Sequence, residues 1–208
     1  MSPGDTPETV ATPTANRALA VLLLVGGAVG LTAAFSLVLE KIALLTDANY
    51  TPTCSLNPVL NCGSVMKTPQ AELFGFPNPL IGVAAFPVLI ATGAILLAGA
   101  RPARWYWLGL QAGVTLGMGF VGWLIFQSLY RIGALCPYCM AVWAVVVPMF
   151  WYVTLHNAST GTFGARAAHS RVVRALREWH LFGLIVLVLT IVGLVLEQFW
   201  YYWRTVLL

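Results

Sequence analysis

Five runs of apolar residues, each long enough to cross a hydrocarbon core as a helix of roughly 20 residues, constrain this chain more than any other feature. They fall near residues 18–40, 79–100, 105–129, 136–156 and 180–202. Composition agrees: 59% of the 208 residues are hydrophobic and 9% are charged, far from the balance of a soluble domain. The expectation is an all-α integral membrane protein with five transmembrane helices.

Arg17 before the first run resembles the start of a secretory signal. The run is too long for one, however, and no small-x-small cleavage site precedes Glu40 and Lys41. It reads as a retained helix. Residues 1–17, with "MSPGDTPETVATPTAN", are rich in Pro, Thr and acid and read as a disordered cytoplasmic tail.

Basic residues accumulate on the cytoplasmic side of short loops. With the N-terminus inside, that side holds Arg17, Arg101, Arg104, Arg166, Arg171, Arg174 and Arg177, against Lys41, Lys67, Arg131 and Arg204 on the other. The favoured topology is N-terminus in, C-terminus out. The net charge of +4 then needs no nucleic acid to explain it. The basic loop 157–179, with "RAAHSRVVRALREWH", reads as a topology signal in contact with anionic lipid. Residues 180–208 form the fifth span and a short outer end, where Glu197 and Gln198 face the interface or a neighbouring helix.

This topology puts all four cysteines on or near the outer, oxidising side. Cys54 and Cys62 lie in the long loop 41–78, and Cys136 and Cys139 open the fourth span. Four cysteines allow three pairings, which sequence alone does not decide. In "CPYC", Pro137 suits the first helical position, making Cys136 the cap and Cys139 a residue one turn in. Both sulfurs then share a face. The helix N-terminus favours thiolate at Cys136, while so short a loop gains little from a structural disulfide. Redox activity is therefore preferred over a structural bridge or a metal site. The seven residues between Cys54 and Cys62 do not match structural zinc spacing, and His156, His169 and His180 fall on the opposite side as interfacial residues.

The loop "TPTCSLNPVLNCGS" is built of turn formers, including Pro52, Asn57, Pro58, Asn61 and Gly63. A cysteine pair there could meet a soluble partner and then a membrane pair, because thiol–disulfide exchange runs through mixed disulfides. Haem, iron–sulfur and nucleotide motifs are missing from the sequence. A lipid-soluble quinone in an apolar pocket with one or two hydrogen-bond donors best accepts the electrons.

The loop pair, then "CGSVMKTPQAELFGFPNPLIG", then a CxxC at the start of a later span, resemble bacterial homologues of vitamin K epoxide reductase over residues 18–156. The resemblance implies a catalytic core of four helices around a quinone, menaquinone or ubiquinone, capped by the loop, with the fifth helix outside it. It implies that Cys139 reacts with the quinone and that Cys136 is its partner. Cys62 would exchange with Cys136, and Cys54 would meet an extracytoplasmic thioredoxin-like protein. Asn78 matches an asparagine that hydrogen-bonds a quinone carbonyl; from the residues alone it reads equally as a turn or cap before Pro79. Thr68 stands where the family usually has Ser and retains the hydroxyl for a supporting role. Trp143 stands where animal members have Tyr; its indole nitrogen donates but cannot accept.

The function so implied is a thiol–quinone oxidoreductase that regenerates a thiol oxidase for exported proteins. Two alternatives are a quinone or quinone-epoxide reductase, and a nonenzymatic scaffold braced by its disulfides.

Overall fold

The structure, a computed structural model, describes residues 14–47, 49–164 and 170–207. The expected tail lies outside the described residues as far as residue 13. Every described element is helical, and five helices are long and apolar enough to cross a membrane.

Helix α1 spans Thr14–Thr46, α3 Pro79–Leu97, α4 Arg104–Gln127, α5 Pro137–Ser159 and α7 His180–Gln198. Between α1 and α3 lie the short α2, Cys62–Met66, and a 3₁₀ turn, Pro69–Glu72. Helix α6, Arg171–Glu178, falls inside the expected basic loop, and α8, Trp200–Leu207, follows α7.

The largest departure from the sequence expectation is at the end of α1. Glu40 and Lys41 read as a boundary, yet the helix runs on to Thr46. No Gly or Pro interrupts "EKIALLT", and both charges find partners in the following loop. Lys41 Nζ donates to the Met66 carbonyl at 2.8 Å and pairs with Glu72 at 2.8 Å. The loop proper therefore begins six residues later than its charges announce.

α1 packs along α3 and α5, and α4 packs along α5. Glycine sets the α1–α3 spacing: a Cβ on Gly93 would lie 2.6 Å from the Ala20 carbonyl, and one on Gly30 would enter the Phe86 ring. A polar chain also stitches α4 to α5, away from the cysteines: Asn157 Nδ2 donates to Gln111 Oε1 at 3.0 Å, and Gln111 Nε2 to Thr154 Oγ1 at 3.0 Å. Such bonds hold helices together where lipid supplies no hydrophobic drive.

α3 and α4 scarcely approach one another, and a cavity of about 490 Å³ opens beside their seam. α7 stands at the edge of the bundle with none of its residues buried. It leans on α5 through Gly183 against Trp151 and through the Trp151 Nε1 hydrogen bond to the His180 carbonyl, 3.1 Å.

Candidate active site

The four cysteines converge at one end of the bundle. Cys54 and Cys62 form a disulfide with a Cα separation of 5.6 Å, while Cys136 and Cys139 are free thiols. Of the three possible pairings, this is the one that joins cysteines within the loop.

Local geometry accounts for the second pair. α4 ends in a π-helical turn, Ser128–Ile132, closed by Gly133 at φ 69°, a left-handed value that suits glycine. The chain then turns into Cys136, the N-cap of α5, whose sulfur accepts from the Cys139 amide at 3.4 Å. Hydrogen bonding from Cys139 holds the Cys136 thiol below its ordinary pKa; the backbone amides at the helix start act in the same direction, and burial opposes them.

The loop pair is held by contacts distant in sequence. Leu60 and Leu135 form a parallel bridge: Leu135 N–H donates to the Val59 carbonyl at 2.7 Å and Asn61 N–H to the Leu135 carbonyl at 2.8 Å. Asn57 Oδ1 folds the turn before it by accepting from Val59 N and Leu60 N. Asn61 Oδ1 caps α2 through Ser64 N. This bridge places Cys62 directly beside the residue preceding the CPYC cap. The Cys62 and Cys136 sulfurs lie 3.1 Å apart, and those of Cys54, Cys62 and Cys136 all lie within 4.8 Å of one another. Cys54 and Cys136 are buried, at 6% and 1% exposure.

The cavity begins at Cys136 and Cys139 and extends along α3, α4 and α5 as far as Tyr106. Its walls are almost wholly apolar. Gly109, Gly113 and Gly117 line it one turn apart on α4, and a Cβ at any of them would meet nothing within 4 Å. The α1–α3 glycines bring helices together; these keep a space open.

Asn78 and Trp143 both line this cavity together with Cys139. Asn78 sits at the cap position of α3 but makes no capping bond. Its amide reaches back into the loop, Nδ2 donating to the Gln70 carbonyl at 2.7 Å and Oδ1 accepting from Leu73 N at 3.1 Å. Its second amide hydrogen has no acceptor among the described residues. Trp143 is 5% exposed, and its Nε1 is a buried donor without a partner among the described residues. A donor so placed costs free energy unless something bonds it. An apolar ring bearing carbonyls fits that demand, so the residues present fit a quinone. Thr68 lies apart from the cavity wall; its hydroxyl donates to the Val65 carbonyl at 2.7 Å and closes α2.

Two residues given no site role from the sequence also belong to this end. Ser128, on the π turn, lines the cavity beside the cysteine pair; a π-helical insertion is a frequent companion of function but leaves no clear mark in a sequence. Glu40, 8% exposed, accepts from Tyr50 Oη at 2.9 Å and from the amide and hydroxyl of Thr53. The carboxylate also raises the Tyr50 phenol above its ordinary pKa.

Residues 21–154 match the sequence model of the vitamin K epoxide reductase family. The match covers well over half of the chain. The protein belongs to that family. It is thereby an oxidoreductase of a group that passes electrons between thiols and a quinone, and the match ends within α5, leaving α7 outside the shared core. No curated protein matches the chain.

Proposed function

We propose that this protein oxidises an extracytoplasmic thioredoxin-like dithiol protein and passes the electrons through its two cysteine pairs to a membrane quinone, so sustaining disulfide formation in exported proteins. The observation that carries this reading is the 3.1 Å approach of the Cys62 and Cys136 sulfurs, close enough for exchange between pairs separated by 74 residues. The excess of Lys and Arg in the loops remote from the cysteines supports an N-terminus in the cytoplasm and cysteines facing outward.

A partner thiolate attacks Cys54, and Cys62 leaves as thiolate. The partner's second thiol then releases Cys54 and carries away the new disulfide. Cys62 attacks Cys136 of a Cys136–Cys139 disulfide, expelling Cys139 as thiolate. Cys54 then attacks Cys62, which restores the loop disulfide and frees Cys136. Each step breaks one S–S bond and forms one. The structure has the pairing that follows the last step, with the loop oxidised and the helix pair reduced.

Asn78 and Trp143 would hold the quinone, each donating a hydrogen bond to a ring carbonyl. The quinone, menaquinone or ubiquinone, supplies a two-electron, two-proton acceptor for the Cys136–Cys139 dithiol. The low pKa of Cys136 makes it a good leaving group in the final exchange.

Trapping tests this. In cells expressing Cys62→Ala, the Cys54 thiolate should attack the disulfide of the oxidised thioredoxin-like protein, breaking that bond and leaving a mixed disulfide that acid quenching captures, lost when Cys54 is also replaced. No adduct, with Cys136 and Cys139 permanently oxidised even when quinone synthesis is blocked, would leave the scaffold alternative standing.

A further inference from the structure

The mechanism above leaves one buried acid without a task. Glu40 is 8% exposed near the end of α1, and no cation pairs with it among the described residues. A buried carboxylate is costly unless it is well hydrogen-bonded. Among the described residues, its side-chain hydrogen bonds all come from one short segment: Tyr50 Oη at 2.9 Å, Thr53 N at 3.3 Å and Thr53 Oγ1. Thr53 immediately precedes Cys54. The neighbouring Lys41 binds the other side of the loop, at the Met66 carbonyl and Glu72, beyond Cys62. Two consecutive residues of α1 thus bracket the disulfide, one fixing the chain before it and one the chain after.

From this arrangement we infer that Glu40 is a positioning residue for the exchange: by anchoring Thr53 it holds Cys54 beside Cys62 as the thiol that resolves the Cys62–Cys136 mixed disulfide. In that step a Cys54 thiolate attacks the Cys62 sulfur, the Cys62–Cys136 bond breaks, the Cys54–Cys62 bond forms and Cys136 leaves as thiolate. There is no net oxidation. Its equilibrium depends on how often Cys54 is in place, which is an effective concentration. Remove the anchor, and Cys54 must be recovered from the conformations open to a turn-rich loop, at an entropic cost. This inference rests on the relay proposed above.

The test uses full-length protein carrying Cys139→Ala, in which the helix pair cannot close and Cys54, Cys62 and Cys136 share one disulfide. After equilibration, acid quenching and alkylation, mass spectrometry reads the ratio of the Cys62–Cys136 bridge to the Cys54–Cys62 bridge. Glu40→Ala should raise that ratio by about tenfold, the scale of hydrogen bonds to a charged group. Glu40→Gln, whose amide oxygen can still accept from Thr53, should fall between. A ratio in Glu40→Ala within twofold of its parent overturns the inference. If Glu40→Ala does not fold, Thr53→Val decides: a smaller rise supports the anchor, and an unchanged ratio overturns it. The relay is tested separately by Cys54→Ala with Cys139→Ala, where oxidant should drive the Cys62–Cys136 bridge; its failure to form sinks the relay, whatever Glu40 does.

Discussion

The two cysteine pairs sit on opposite kinds of scaffold. Cys136 and Cys139 are placed by a single helix start: Pro137 fixes the first turn, Cys136 caps it, and the Cys139 amide bonds the cap sulfur. Cys54 and Cys62 are placed by contacts from far away in the chain: the Leu60–Leu135 bridge, the Glu40 bonds to Tyr50 and Thr53, and the Lys41 bonds to Met66 and Glu72. The helical pair is rigid because its geometry comes with the helix. The loop pair is held by polar contacts from distant residues and by packing with Leu37, Val65, Met66 and Ala134. The proposed relay would need this asymmetry: one pair would stay beside the cavity, while the loop would have to open for a partner thiol to reach Cys54, which is 6% exposed.

The largest expected effect separates the pairs directly. Cys139→Ala should abolish quinone-dependent turnover, by at least about 10³-fold, as for loss of a reacting nucleophile. Cys54→Ala should abolish oxidation of the protein partner equally, yet leave a chemically reduced Cys136–Cys139 pair able to be reoxidised by quinone in a single turnover. Rapid-quench alkylation measures both, and loss of that single turnover in Cys54→Ala would erase the division of labour.

A smaller effect probes the cavity beside the rigid pair. Trp143→Phe keeps the ring and removes the donor. Loss of one neutral hydrogen bond should weaken quinone binding by up to about tenfold, seen as a raised KM for quinone with little change in kcat. An unchanged KM would return Trp143 to packing among Val121, Leu129 and Phe199.

The smallest effect is one of pH. With Cys54 and Cys62 replaced by Ser, alkylation of Cys136 should follow a titration whose midpoint lies below the ordinary thiol value of about 8.5. A lowered pKa keeps the thiolate populated as pH falls toward that midpoint, and the rate drops only below it. Removing the Cys139 hydrogen bond by Cys139→Ala should move the midpoint upward, since that bond is the leading cause of the shift. A midpoint that stays put would assign the effect to the helix start alone.

The five spans were legible because a bilayer imposes a length and a polarity that composition displays. The CPYC geometry was legible because it lies within one helical turn. α1 was read too short, since charge signals a membrane boundary but not a helix end: Glu40 and Lys41 stay helical because their partners lie in the loop that folds back on them. α6 was hidden inside what read as a basic loop. Its Arg171, Arg174 and Arg177 are spaced for one helical face, but a basic run says nothing by itself about backbone conformation.

By itself, then, the sequence determined the membrane class, the number of spans and a cysteine pair at a helix start. Each is written in neighbouring residues, by composition or by a spacing that the backbone converts directly into geometry. The tertiary structure decided that Cys62 meets Cys136, that Glu40 and Lys41 clamp the loop from both sides, and that Gly109, Gly113 and Gly117 face open space while Gly30 and Gly93 face another helix. It also left Trp143 Nε1 buried without a partner among the described residues. These are contacts between residues distant in the chain, and no local rule of spacing encodes which surfaces will be brought together.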